Sequence, residues 1–100
     1  MSLLTDSRTA LRIKSTAYDG EITDLIDTST SELLLSGILQ SKIDTLETVA
    51  PDVLLKRCVM LYCKANFGIA NEESVKFQNS YNSLKIHLML STEYTVEEVV

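Results

Sequence analysis

A chain of 100 residues has room for one hydrophobic core, and 45% hydrophobic with 23% charged residues is the mix of a globular domain. One proline and three glycines exclude collagen-like and low-complexity readings. Nine basic against fourteen acidic residues give a net charge of −5, which supplies no basic footprint for a phosphate backbone or an anionic membrane surface. The longest apolar run is Cys58 to Cys63, far short of the roughly 20 residues a bilayer span needs. The opening residues lack the basic and apolar regions of a signal peptide, so the expectation is a soluble intracellular chain without a membrane partner.

In chain order, the first element is a short helix over about 5–14, with Thr5 as its cap and Asp6 in its first turn. A second helix is expected over 19–36. Ile22, Leu25, Ile26 and Leu33 form its buried stripe, and Glu21, Asp24, Asp27 and Glu32 lie on the other side, either solvated or part of a shared electrostatic surface. Gly37 fits the left-handed residue after the helix end, with Ile38 as the hydrophobic contact that follows.

Residues 38–50 hold no helical stripe and read as a long, irregular or partly extended loop exposing Ile43, Leu46 and Val49. Packing on their own domain and contact with a partner are both open for these side chains. Pro51 then opens a third helix, 51–67, as its first residue. Leu54, Cys58, Leu61 and Ala65 are its expected inner stripe, flanked by Leu55 and Tyr62, and Gly68 ends it. A fourth helix, 71–91, starts from Asn71. Phe77, Tyr81, Leu84 and Leu88 fall on one face, while Val75, Ile86 and Leu90 make a second apolar strip roughly opposite. The last stretch, 93–100, carries Tyr94, Val96, Val99 and Val100 and reads either as a frayed end or as a segment that orders on a neighbouring subunit. The fold class is all-α, one domain of three main helices and a short leading one.

No catalytic constellation emerges. Cys58 and Cys63 point about 140° apart on a helix at about 100° per residue, so they neither pair nor share a metal. His87, the only histidine, shares a polar side with Lys76, Ser80 and Ser83. The three glycines stand singly, so no phosphate-cradling loop exists. Neither an enzyme nor a cofactor or metal site is expected.

The order of segments is more specific than any one of them. Leu11-Arg12-Ile13, Tyr18-Asp19-Gly20-Glu21-Ile22-Thr23-Asp24-Leu25-Ile26 and Ser36-Gly37-Ile38 resemble the first half of tailed-phage head–tail connector proteins. Pro51, then Leu61-Tyr62-Cys63-Lys64-Ala65-Asn66-Phe67-Gly68, then Tyr81, Leu84 and the run from Leu88 to Tyr94 resemble the second half. The resemblance covers about residues 5–94. It implies a small helical subunit without enzymatic activity or cofactor, assembled in the host cytoplasm and carried in the virion at the head–tail interface. It also implies a homo-oligomeric ring, commonly of twelve, under the portal protein. Such a ring extends the channel through which DNA passes without specific binding, and it docks a stopper or tail-completion protein. On this reading Ile38, Ile43, Leu46, Val49, Val75, Ile86, Leu90, Tyr94, Val96, Val99 and Val100 are candidate assembly contacts. Glu21, Asp24, Asp27 and Glu32 are the candidate channel or solvent-facing acids. A free-standing helical interaction module or small regulator is the alternative with the same composition.

Overall fold

A computed structural model of the chain describes residues 2–97. It contains α1 (Leu3–Ala10), α2 (Asp19–Leu35), α3 (Gln40–Asp44) with a 3-10 turn at Thr45–Glu47, α4 (Val53–Asn66), α5 (Glu72–Met89) and α6 (Thr92–Thr95). No strand occurs among the described residues.

Capping residues decide where the helices begin. Ser2, not Thr5, caps α1: its hydroxyl accepts the Thr5 amide proton at 3.1 Å, so the helix starts earlier than expected. It also stops earlier, because Arg12 turns left-handed (φ 60°). The Ile13 amide then reaches the Arg8 carbonyl at 2.9 Å and the Arg12 amide reaches Thr9 at 3.0 Å. The end of α2 repeats this closure with Gly37 (φ 102°), through Ile38 to Leu33 at 3.1 Å and Gly37 to Leu34 at 3.0 Å. Pro51 stands before the third long helix rather than inside it. Asp52 is the cap, its carboxylate accepting the Leu55 amide at 3.0 Å. Asn71 and Ser74 cap α5 reciprocally, a box in which each side chain accepts the other's backbone proton.

The long helix α4 is the centre. It packs against α2 on one side and α5 on the other, with α1 laid across α2 and α4. Tyr18, just before α2, sets its ring edge-on to Phe67 at the far end of α4, and α5 begins beside that same end, where Lys64 lies over Phe77. Both α2 and α5 therefore run opposite to α4. The core joins Ile22, Ile26 and Leu33 from α2, Leu55, Cys58, Val59, Leu61 and Cys63 from α4, and Tyr81 and Leu88 from α5. Leu25, Phe77 and Leu84 are half-buried against it. Leu54 is a correction: it is exposed and Leu55 fully buried in its place. The inward direction of α4 runs through Leu55, Cys58, Val59 and Tyr62, and Leu54 lies about 100° off it in the first turn.

The expected loop at 38–50 is the larger correction. Ile38, Ile43 and Leu46 are buried in the core, the latter two carried inward by α3 and the turn that follows. A five-residue helix has too few turns to show a periodicity, and it is held by this packing rather than by propensity. Of that stretch's expected exposed residues only Val49 is out in solvent. At Tyr94 the described part of the C-terminal stretch is likewise pinned. The Leu39 amide donates to the Tyr94 carbonyl at 2.8 Å, and the Tyr94 hydroxyl donates to Asp52, 3.0 Å from each carboxylate oxygen.

Candidate assembly surface

On α5 the core face and the outer face are separated by the helical period. Tyr81 and Leu88 are buried, while Val75, Ile86 and Leu90 stay exposed on the far side, with Met89 at the same end. Asn79 and Asn82 fall between Val75 and Ile86 on this face, so two polar side chains separate Val75 from the apolar pair Ile86 and Leu90. Leu35 adds an almost fully exposed leucine at the end of α2, and Ile69 another in the α4–α5 loop. Sequence reasoning missed both. Leu35 was findable: it falls on the same side of α2 as Asp24, Thr28 and Ser31. Val49 and Val96 are exposed as expected.

Four of the candidate contacts are not on this surface. Ile38, Ile43, Leu46 and Tyr94 fill the chain's own core, because α3 and α6 fold back over the ends of α2 and α4. Val99 and Val100 lie outside the described residues.

The acids divide as well. Glu21, Asp24 and Asp27 are exposed along α2. Glu32 is not a free surface charge. It takes hydrogen bonds at 2.8 Å from both the Tyr81 hydroxyl and the Lys85 ammonium, bridging α2 to α5. The Lys85 hydrogen bond holds its carboxyl below the usual value, more than partial burial raises it, and Tyr81 adds to the lowering. Its position at the edge of the buried stripe, rather than opposite it, places it within reach of the neighbouring helix. Elsewhere Lys56 pairs with Asp6 at 2.7 Å and Arg8 with Asp19 at 2.9 Å, the latter an ion contact without hydrogen-bond alignment. These pairs fasten α1 to α4 and α2.

Burial pushes the Cys58 thiol up to about 12 and the Cys63 thiol to about 11, so neither supplies thiolate near neutral pH. His87 is exposed in a shallow depression with Asn79, Ser80, Ser83 and Leu84. Among the described residues no group of three or more His, Cys, Asp or Glu is placed to hold a metal ion. No helix there is long and apolar enough to cross a membrane.

Across residues 3–95 the sequence matches the family model described as phage connector protein. No curated protein and no solved structure matches the chain. The family found is the one the order of segments resembles, and the match runs from the start of α1 to the end of α6 without a break. This all-helical chain therefore belongs to the phage connector proteins, a structural family of the bacteriophage head–tail junction.

Proposed function

We propose that the chain is the repeating subunit of a homo-oligomeric ring, of twelve copies by family resemblance, seated under the portal protein. There it extends the DNA channel used in packaging and genome ejection and presents the docking surface for a stopper or tail-completion protein. The supporting observation is the outer strip of α5. Val75, Ile86 and Leu90 stand exposed, and with Met89 they form an apolar strip of the kind that supports a surface covered by a partner. Leu35, Ile69 and Val49 extend the apolar area that a neighbour, portal or stopper can bury.

The exposed acids Glu21, Asp24 and Asp27 belong on solvent or channel, since burying three carboxylates without partners is costly. Twelve copies at −5 each carry about −60, a field that lets DNA pass without adhering. The alternative of a free-standing interaction module shares the surface but not the family match.

Negative-stain imaging of purified portal mixed with the protein tests the reading. A ring of added density beneath the portal supports it, and its loss in Ile86→Lys with unchanged helix content assigns the α5 strip. Portal that stays bare with wild-type protein at saturating concentration overturns it.

A further inference from the structure

The end of α1 holds a residue the helix itself does not ask for. At its left-handed position stands Arg12 (φ 60°), where glycine fits without strain. At the end of α2 the same pair of backbone bonds is closed by Gly37. Strain kept at one of two equivalent turns points to a use for the side chain. Arg12 lines an open cleft of about 480 Å³ with Ala10, Leu11, Lys64, Glu73 and Phe77. Neither cation there has a carboxylate partner within 4 Å among the described residues, whereas Arg8, Lys42, Lys56 and Lys85 each have one. Lys64 instead stands 5.3 Å above the centre of the Phe77 ring. Two cations over a floor of Leu11 and Phe77 suit an acidic segment that also carries apolar side chains. Glu73 also lines the cleft and disfavours either kind of anion, but a phosphate backbone would leave the apolar side chains unused.

One stretch of this chain has that chemistry: Val96-Glu97-Glu98-Val99-Val100. It follows α6, where Tyr94 is tied to Asp52 at the start of α4, while the cleft lies by Lys64 near the end of that helix. Twelve residues at about 1.5 Å separate the two by about 18 Å along α4, roughly the full reach of five extended residues. Each copy thus offers segment and cleft at opposite ends, an arrangement for head-to-tail contact, and head-to-tail contacts close into rings. Resting on the ring reading above, we propose that the Arg12–Lys64–Phe77 cleft receives the 96–100 segment of the neighbouring copy.

The test uses full-length protein carrying Glu97→Lys and Glu98→Lys, whose own segment does not compete. A synthetic peptide of residues 92–100 is titrated in while backbone amide NMR shifts are followed. Saturable shifts confined to the surroundings of Arg12, Lys64 and Phe77 are expected. In the same background Arg12→Gly should weaken binding about tenfold while melting no lower than its parent. No shifts at millimolar peptide, shifts elsewhere, or undiminished binding in Arg12→Gly overturn the proposal. So does a short DNA duplex that produces the same shifts at lower concentration than the peptide. If rings form on portal although the cleft takes no peptide, only this assignment fails. If the peptide binds and portal stays bare, the ring reading fails and the cleft assignment stands.

Discussion

Replacing Tyr94 by Phe removes one oxygen atom and leaves the ring in place, which isolates the contact that pins the C-terminal stretch. The lost hydroxyl donates to an ionised carboxylate at 3.0 Å from each oxygen. Hydrogen bonds to charged groups contribute about 1.5–3 kcal/mol, and the half-exposed position of Asp52 places this one near about 1–2 kcal/mol. Asp52→Ala removes the same bond together with the α4 cap, worth about 1 kcal/mol by itself, so its loss should reach about 2–3 kcal/mol. Once Asp52 is gone, Tyr94→Phe has nothing left to break. The double variant should therefore match Asp52→Ala, giving a coupling of about 1–2 kcal/mol in a double-mutant cycle. Urea unfolding followed by far-ultraviolet circular dichroism supplies the four free energies. Additive losses within about 0.5 kcal/mol, or a Tyr94→Phe variant as stable as wild type, would show that the residues do not act together and that α6 is not fastened to α4.

Leu55→Ala should cost roughly 2–5 kcal/mol as a buried truncation, and Leu54→Ala under about 1 kcal/mol; the reverse order in urea unfolding would rotate α4 in its socket. Stability should fall on the alkaline side. Burial, then the Asp52 carboxylate, pushes Tyr94 up to about 12, Tyr81 is raised for the same kinds of reason through burial and Glu32, and burial raises the two thiols. The unfolded chain therefore loses these protons first. The stabilisation is complete below the ordinary thiol value of 9.0 and declines as pH rises toward the folded values. Thermal midpoints that stay level from pH 8 to pH 11, a range of about three units chosen to cross that window, contradict this.

The long helices were legible because their signals are local. Gly37 and Ile38 close α2 within six residues, Asn71 caps α5 from beside it, and the eleven-residue spacing of Val75 and Ile86 marks an outer face by period alone. What the sequence hid is what depends on partners far along the chain. Tyr94 is buried because Asp52, forty-two residues earlier, waits for its hydroxyl. Ile43 and Leu46 look exposed until α3 folds over the core, and Glu32 looks solvated until Lys85 and Tyr81 arrive from another helix. On α4, apolar residues lie on so many sides that Leu54 and Leu55 compete for the inward position, and only packing against α2 and α5 decides between them. The expected loop shrinks accordingly as an assembly element, and of the tail Tyr94 turns inward while Val96 stays exposed. The α5 strip is left as the one candidate found both by period and by exposure.

The most direct test of the account is imaging of purified portal with saturating wild-type protein and, in parallel, with Ile86→Lys. Ile86 is about half exposed on α5 and touches no core function, so the variant should keep the wild-type circular dichroism spectrum and melt within a few degrees of it. The account predicts a closed ring beneath the portal with wild-type protein and bare portal with the variant. Rings of equal occupancy with both proteins would contradict the assignment of the α5 face, and bare portal with both would contradict the connector ring itself.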